Sequence, residues 1–298
     1  MTTIGVFDSG FGGLTVLRAL LPLIPAARYL YLGDTARLPY GSKSRETIAR
    51  YAVSSARFLL DHGSDLLVIA CNTATALALE DIRAAAAPTP VIGVIEPGAR
   101  AAQASSLRSE IQNASEAPPE TISPAGKGPA APGEPPASSG TVLVLATEAT
   151  VQSHAYMAAL NQCGIAAAEK ACPLLVPLVE EGWIDHPVTR EVVRIYLTEA
   201  FRDYPSVSTL LLGCTHYPVL RNVLQATLRD MHRPLTIIDS AEATAGAVAK
   251  HLEGTRANTS QTPGCTFYAT DSVEKFARLG SHFLGHSLPT VHLVDLGG

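Results

Sequence analysis

The apolar run at residues 66–70 ends abruptly at Cys71. Two small polar residues, Asn72 and Thr73, follow the cysteine directly. A run of this length and composition is typical of a β-strand that is buried on both faces, as strands of parallel sheets are. The polar residues after it are typical of the start of a helix. The pattern therefore predicts that Cys71 lies at the carboxyl end of a strand, which is where α/β proteins bind ligands.

The same pattern occurs a second time. The apolar residues 210–212 lead through Gly213 to Cys214, and Thr215 and His216 follow. Two matched cysteines limit the possible functions of the chain more than one cysteine would. Both are predicted at strand ends, and both are followed by hydrogen-bonding side chains.

Predicted strands alternate with predicted helices along the whole chain, which is the order expected of an α/β protein with mostly parallel sheets. The strand that ends at Asp8 and the strand that ends before Thr147 each lead through a polar turn into a helix. Together with the two cysteine strands, these turns predict two similar α/β domains. Their sheets would be flanked by helices, and the two domains would face a shared cleft that holds the active site.

The charge and hydropathy of the chain exclude several classes of partner. Its 298 residues carry a formal charge of −5, with 47% hydrophobic and 16% charged residues. Such a balance gives no broad attraction to nucleic acid or to an anionic membrane, so neither partner is expected. No apolar run approaches the roughly 18 residues that would suggest a membrane span.

The cysteine content suits a reducing compartment. Five cysteines form an odd and sparse set, which does not predict a disulfide framework. Cys163, Cys172 and Cys265 show no zinc-like spacing, and each is interpreted as a buried small hydrophobic residue. The amino terminus also lacks the features of a secretory signal. We therefore predict a cytoplasmic protein without a metal site.

One long segment differs from the rest in composition. From about residue 104 to residue 140 the chain is rich in Ala, Ser, Pro, Glu and Gly, with seven prolines between Pro118 and Pro136. Such a segment cannot bury enough apolar surface to fold. It is predicted to be a disordered insertion in a surface loop, because a strand at residues 141–145 resumes directly after it.

The placement of the two cysteines suggests reactive thiols. A cysteine at a strand end beside a helix amino terminus has its thiolate stabilised by the helix dipole and by free amides. Two buried structural thiols are the ordinary alternative. The polar residues that follow both cysteines weaken this alternative, since packing alone would favour apolar groups there.

Three kinds of chemistry fit a reactive pair. A thiol hydrolase would pair Cys214 with His216 and leave Cys71 without a role. A redox dithiol usually has its cysteines close in sequence, whereas these are far apart. In the third, the two thiols face opposite sides of one substrate carbon, so that one removes a proton and the other returns one. This reaction also needs donors around a carboxylate, and the chain offers suitable hydroxyls and amides at Ser9, Asn72, Thr73, Thr147, Thr150 and Thr215.

Seven short segments carry a family resemblance that covers nearly the whole chain. They are Phe7-Asp8-Ser9-Gly10 with Gly12-Gly13, Gly33-Asp34-Thr35 through Pro39-Tyr40-Gly41, Cys71-Asn72-Thr73-Ala74, Gly93 with Glu96-Pro97-Gly98, Ala146-Thr147 with Thr150-Val151, Val176-Pro177-Leu178-Val179-Glu180, and Gly213-Cys214-Thr215-His216-Tyr217-Pro218. Each is weak alone, but in this order the chain resembles the glutamate racemases, cofactor-independent enzymes of the aspartate/glutamate racemase superfamily.

The resemblance implies a division into two domains with the active site between them. The first would be discontinuous and comprise residues 1–98 and 213–298. The second would comprise residues 99–212 and contain the predicted insertion at 104–140. This insertion departs from the usual family pattern, whereas both cysteine motifs are intact.

The resemblance also implies roles for individual residues. Cys71 would remove the α-proton of D-glutamate and Cys214 that of L-glutamate. Asp8 would assist Cys71, while His216 and Glu180 would assist Cys214. The implied substrate contacts are Asp8, Ser9, Tyr40, Gly41, Asn72, Thr73, Thr147, Thr150, Thr215 and His216.

In this interpretation the chain needs no cofactor and no metal. Glutamate would be its small-molecule partner, and its D-glutamate would supply peptidoglycan synthesis, hence cell-wall biogenesis and cell shape. Members of this family commonly form homodimers, so the resemblance is compatible with a homodimer.

Other interpretations stay open at this point. The fold could serve a neighbouring activity such as aspartate racemisation, or a binding or regulatory protein that has lost catalysis. Asp8 could serve only as a helix cap and Tyr40 only as a packing residue. Glu180 could be a solvated acid beside Glu181, with a shift of one residue in its assignment.

Overall fold

The computed structural model describes residues 2–116, 140–253 and 264–297. Strands and helices alternate along these residues. They are β1 (Thr3–Asp8), α1 (Leu14–Leu23), β2 (Arg28–Gly33), α2 (Arg45–Asp61), β3 (Leu66–Ile69), α3 (Asn72–Ala86), β4 (Val91–Gly93), α4 (Ile95–Glu116), β5 (Thr141–Ala146), α5 (Glu148–Gln152), α6 (Ala155–Gln162), β6 (Ala167–Ala171), α7 (Leu175–Glu180), α8 (Pro187–Asp203), β7 (Val207–Gly213), α9 (Arg221–Asp230), β8 (Thr236–Asp239), α10 (Ser240–His251), β9 (Cys265–Ala269), α11 (Val273–Leu284) and β10 (Val291–Leu293).

The strands form two parallel sheets. The first has six strands in the order β10-β9-β2-β1-β3-β4, and the second has four in the order β6-β5-β7-β8. Every strand pair in both sheets is parallel. Parallel strands need a crossover between them, and the alternating helices provide it. The predicted α/β class with parallel sheets flanked by helices is confirmed.

The two sheets share one strand order. In the first sheet β2-β1-β3-β4 are neighbours, and in the second β6-β5-β7-β8 repeat that arrangement. The strand that ends at Asp8 thus lies beside the strand that leads to Cys71, and β5, which leads to Thr147, lies beside β7, which leads to Cys214. Because carboxyl ends of neighbouring parallel strands meet at one edge of a sheet, each sheet collects its polar turns at one edge.

One strand lies in a different sheet from the one that the predicted division implies. β8 pairs with β7 in the second sheet, whereas residues 213–298 were assigned to the first domain. The chain returns to the first sheet only at β9, which pairs with β2. A parallel strand carries no local mark of the sheet that it joins. The domain limits themselves stay a prediction.

The helix α4 corrects the predicted start of the insertion. Residues 104–116 continue this helix, so the prediction that disorder begins at about residue 104 is wrong for them. Alanine and the other small residues of this part are compatible with a helix, and the breaking prolines start only at Pro118. The rest of the predicted insertion, from residue 117 to 139, lies outside the described residues. Glu96-Pro97-Gly98 forms part of the first turn of α4, where a proline is tolerated.

The central strands of the first sheet are packed on both faces. All six residues of β1 are buried, as are the four of β3, and helices on each side contribute their apolar faces to the core. Within the described residues, no helix is both long and apolar enough to cross a bilayer.

Substitutions at two glycines test the packing of this fold. A Cβ atom on Gly5 in β1 would lie 2.5 Å from Ser64 Oγ and 2.8 Å from Leu67 Cδ2. Gly5→Ala should therefore destabilise the protein by about 1–3 kcal/mol through overpacking. Gly246→Ala is the matched control. A Cβ on this exposed residue of α10 meets nothing within 4 Å, so the better helix former should stabilise the protein by about 0.5–1 kcal/mol. Urea unfolding measures both, and a Gly5→Ala variant as stable as the wild type would contradict the packing.

Candidate active site

A cavity of about 560 Å³ lies between the carboxyl edges of the two sheets. Both Cys71 and Cys214 line it, so the two cysteine motifs open onto one space. The other predicted site residues that line the cavity are Ser9, Tyr40, Gly41, Asn72, Thr73, Thr147, Glu180, Thr215 and His216. Asp8 and Thr150 do not line it and lie behind it, each fully buried.

Cys71 occupies the N-cap position of α3, as its place after the strand predicted. Its sulfur accepts a hydrogen bond from the backbone N–H of Ala74 at 3.4 Å and donates one to Ser9 Oγ at 3.4 Å. These contacts favour the thiolate, but burial is the larger effect, and repulsion from Asp8 adds to it. Together they raise the pKa of Cys71 to about 12. At Cys71, burial therefore outweighs the stabilisation that the helix start offers to the thiolate.

Cys214 has a different local setting. It follows β7 directly, but a short 3₁₀ turn at Tyr217–Leu220 separates it from the α-helix that comes next. The backbone carbonyl of Cys214 accepts a hydrogen bond from the N–H of Tyr217 at 3.1 Å. The two thiols thus share a strand-end position without sharing a helix cap.

Asp8 lies behind Cys71 at the end of β1. Its Oδ2 accepts a hydrogen bond from the N–H of Gly10 at 2.9 Å, while Oδ1 is buried without a hydrogen-bond partner among the described residues. Burial raises the pKa of Asp8 above its usual value, and the charge of His216 opposes this rise. A buried carboxyl with a raised pKa is suited to exchange a proton with a nearby group.

An ion-pair chain runs from His216 to the rim of the cavity. His216 Nε2 lies 3.4 Å from Glu180 Oε1, and Glu180 Oε2 lies 3.6 Å from Lys275 Nζ. Burial lowers the pKa of His216, but interactions with Cys214 and Glu180 outweigh it and raise the value to about 10. Burial would raise the pKa of Glu180, yet His216 and Lys275 bring it below its usual value. The acid beside the histidine is therefore Glu180, while Glu181 is exposed.

The six-stranded sheet with its helices forms the first half of the molecule, and the four-stranded sheet with its helices forms the second. Three threonine hydroxyls connect the two halves at the site. Thr73 Oγ1 lies 3.0 Å from Thr147 Oγ1 and 3.3 Å from Thr150 Oγ1, and the latter two are 2.9 Å apart. Thr73 comes from α3 of the first half, whereas Thr147 caps α5 of the second half and Thr150 lies within that helix. Thr150 contributes by orienting the two hydroxyls that line the cavity.

The hydroxyl of Tyr40 is hydrogen-bonded within the protein. It donates a hydrogen bond to Asp34 Oδ2 at 2.6 Å, and Asp34 Oδ1 accepts another from Thr270 at 2.9 Å. The hydroxyl of Tyr40 therefore already has a partner within the protein. Gly41 lies close to Thr147, since a Cβ on Gly41 would lie 3.2 Å from Thr147 Cβ.

A close approach between the halves occurs beside His216. A Cβ on Gly12 would lie 2.3 Å from Thr215 Oγ1 and 2.6 Å from His216 Nδ1. The glycine-rich turn after β1 therefore contacts the second cysteine motif directly.

Sequence reasoning missed several residues of the site. Lys275, on α11, lines the cavity and contacts Glu180, and Phe11 lies under its ammonium group at 5.6 Å from Nζ to the ring centroid. Asp34 was recognised only as part of the motif Gly33-Asp34-Thr35, without its contacts to Tyr40 and Thr270. No local signal marks Lys275 as a site residue, because its element is far from both cysteine motifs in sequence.

The chain is similar in sequence to known proteins. The family model described as Asp/Glu/Hydantoin racemase matches residues 4–111. A glutamate racemase of Koribacter versatilis is 49% identical to the chain, over 99% of this chain and 98% of its own length.

Solved structures give the same result. The crystal structure of glutamate racemase from Francisella tularensis in complex with D-glutamate has a TM-score of 0.81 and 31% identity, covering 99% of this chain and 98% of that one. The Thermus thermophilus glutamate racemase in complex with β-chloro-D-alanine has a TM-score of 0.77 and 39% identity, covering 99% and 97%. With similarity of this extent in both sequence and structure, the chain belongs to the glutamate racemase family.

Proposed function

We propose that this chain interconverts L-glutamate and D-glutamate by proton transfer at the α-carbon, with Cys71 and Cys214 as the two bases. The observation that carries the proposal is the opening of both cysteines onto one cavity from opposite halves of the molecule. A thiol hydrolase would leave Cys71 without a role. Family membership supports glutamate, rather than aspartate, as the substrate.

The reaction exchanges one proton for another. With D-glutamate bound, the thiolate of Cys71 takes the α-proton, and the electron pair of the broken C–H bond stays on the substrate as a carbanion conjugated with its carboxylate. The thiol of Cys214 then donates its proton to the opposite face of this carbon. The reverse sequence of transfers converts L-glutamate to D-glutamate. No external oxidant, reductant or cofactor is needed for the balance.

The bound substrate helps to ionise the attacking thiol. Burial and the carboxyl of Asp8 hold Cys71 in its neutral form at physiological pH, given its pKa of about 12. The α-ammonium group of glutamate brings a positive charge into the cavity, and an opposite charge nearby favours the thiolate. In this proposal Asp8, whose pKa burial raises, accepts the proton from Cys71.

In the same proposal His216 assists Cys214, the second base. With a pKa of about 10, the imidazole of His216 is protonated near neutral pH and places a positive charge beside Cys214. Glu180 maintains that charge on His216. Asp8 and His216 thus assist the two bases by different means, one as a carboxyl and one as a cation.

The cavity lining supplies the groups that a dicarboxylate substrate needs. We propose that Ser9, Asn72, Thr73, Thr147 and Thr215 donate to the substrate carboxylates. Tyr40 and Gly41 would contribute through their backbone. The hydroxyl of Thr150 would fix the orientation of Thr73 and Thr147.

The wider role of the protein belongs to the same proposal. Its D-glutamate would supply peptidoglycan synthesis in the cytoplasm and thereby support cell-wall biogenesis and cell shape. The homodimer stays a prediction, as does the absence of a cofactor. Within the described residues, no cluster of three or more His, Cys, Asp or Glu side chains is arranged to hold a metal ion.

Isotope exchange distinguishes two bases from one. In deuterated water each thiol carries solvent deuterium before it acts as the donor. Starting from L-glutamate, early D-glutamate should therefore contain α-deuterium, while recovered L-glutamate keeps its α-proton. Mass spectrometry of the separated enantiomers measures both pools. Deuterium that enters the recovered substrate as fast as the product would refute the two-base assignment, and no product at all would refute racemisation.

Removal of either thiol should abolish racemisation. A serine hydroxyl is a far weaker acid than a thiol, so Cys71→Ser and Cys214→Ser should each lower kcat by at least about a hundredfold. Cys163→Ser is the matched control, since Cys163 is a free cysteine outside the cavity lining. A coupled assay for D-glutamate gives the rate, and rescue of a D-glutamate-requiring bacterial strain gives the cellular readout. Full activity in either cavity variant would overturn the mechanism.

Glu180 should determine the protonation of His216. Replacing its carboxylate with a neutral amide in Glu180→Gln removes a negative charge, so the pKa of His216 should fall from about 10. Because the folded-state pKa lies above the ordinary value of 6.5, the stability that this charge contributes is present below that value and is lost as the pH rises through about 10. Histidine NMR titration measures the shift. Glu181→Gln, at the exposed neighbour, should leave it unchanged, and an equal shift in both variants would contradict the ion pair.

A further inference from the structure

We propose that Tyr156 is a positioning residue for both cysteine motifs: its hydroxyl orients the Asn72 amide beside Cys71 for substrate binding, and its ring holds the backbone of Gly213 beside Cys214. The inference rests on the proposed racemisation, because it concerns how the two bases are held around one carbon. Tyr156 lies on α6, it is fully buried, and it does not line the cavity.

The hydroxyl of Tyr156 reaches the first cysteine motif from the other half of the molecule. It donates a hydrogen bond to Asn72 Oδ1 at 2.6 Å. Asn72 directly follows Cys71 and is the first residue of α3. The bond therefore connects a helix of the second half to the residue next to the first base. Burial also raises the pKa of Tyr156, which keeps the phenol protonated and able to donate at any physiological pH.

This bond decides which way the Asn72 amide faces. A side-chain amide has an acceptor on one side and a donor on the other, and the Tyr156 hydroxyl holds the acceptor. Asn72 Nδ2 is then left as a buried donor without a hydrogen-bond partner among the described residues, although the residue is only 3% exposed and lines the cavity. A buried donor of this kind needs an acceptor, and a carboxylate oxygen of the substrate supplies one.

The ring of Tyr156 reaches the second cysteine motif. A Cβ on Gly213 would lie 3.0 Å from Tyr156 Cε2, so the ring lies against the backbone of the residue before Cys214. Its other edge faces Gly98, where a Cβ would lie 3.4 Å from Tyr156 Cε1. One side chain thus contacts a direct neighbour of each cysteine.

The ring contact at Gly213 matters because proton transfer from two sides tolerates little misplacement of either base. Both sulfurs must reach the same carbon from opposite faces, and small errors in the position of reacting groups cost large factors in rate. Tyr156 acts through Asn72 and through the backbone at Gly213, without contact with the reacting atoms.

Tyr156→Phe separates the two contacts. Phenylalanine keeps the ring against Gly213 and removes only the hydroxyl that orients Asn72. Because a carboxylate contact is made in both ground and transition states, its loss should raise KM between about tenfold and a hundredfold for both enantiomers. The kcat should change by less than about threefold, since both bases stay in place.

Tyr29→Phe is the matched control. Tyr29 is also fully buried, and its hydroxyl donates to the carbonyl of Ile24 at 2.9 Å, outside the cavity lining. Both substitutions remove one buried tyrosine hydroxyl, so both should lower the thermal midpoint. Only Tyr156→Phe should change KM, and only Tyr156→Phe should reduce the rise in thermal midpoint that saturating glutamate produces.

The outcomes separate this inference from the proposed function. A wild-type protein that does not racemise glutamate refutes the proposed function, and the thermal shift by glutamate then decides whether Tyr156 orients a ligand contact. An active wild type with equal KM values in Tyr156→Phe and Tyr29→Phe overturns the inference. A fall in kcat with unchanged KM also overturns it, because the effect would not pass through Asn72. If Tyr156→Phe fails to fold, Tyr156→Leu serves instead, and it loses both contacts. At a temperature where Tyr156→Leu is folded, saturating glutamate should raise its thermal midpoint less than it raises that of the wild type. An equal rise in both proteins would overturn the inference.

Discussion

Polar side chains buried between the two halves of the molecule depend on partners from the opposite half. Thr73 meets the hydroxyls of Thr147 and Thr150, and Asn72 accepts its hydrogen bond from Tyr156. A buried polar group without a partner is costly, whereas a paired one is nearly neutral. These bonds form only when the two sheet edges are at one particular separation and orientation. The requirement to satisfy buried polar groups therefore fixes the geometry of the cavity as well as its chemistry.

Exclusion of water gives the titratable groups their unequal properties. Burial favours neutral forms, and it raises the pKa of Asp8 and of Cys71. At His216 the same burial is outweighed by Cys214 and Glu180, so the imidazole holds its proton. Acids with raised pKa values and a histidine with a raised pKa therefore lie within one small volume. Groups whose environments push their pKa values apart are suited to move protons in both directions.

The sequence predicted those features that follow from local order along the chain. Strand ends are recognisable from apolar runs that stop at a polar turn, so Cys71, Cys214, Asp8 and Thr147 were placed at strand ends and the structure puts them there. Features that depend on distant segments were missed. The sheet that receives β8, the contact of Lys275 with Glu180 and the burial that neutralises Cys71 each arise only on folding. The helical residues 104–116 were misread because the prolines that follow them dominated the composition of the whole segment.

The repeated strand order has a consequence for rates. L- and D-glutamate have equal free energies in water, so a catalyst of their interconversion has the same kcat/KM in both directions, whatever its structure. Two halves with the same strand order suit such a reaction, but their thiols are not equivalent, since Cys71 caps a helix beside a carboxyl and Cys214 precedes a 3₁₀ turn beside a cation. This inequality is invisible in kcat/KM. It can appear only as compensating differences in kcat and KM, with the tighter-bound enantiomer turned over more slowly.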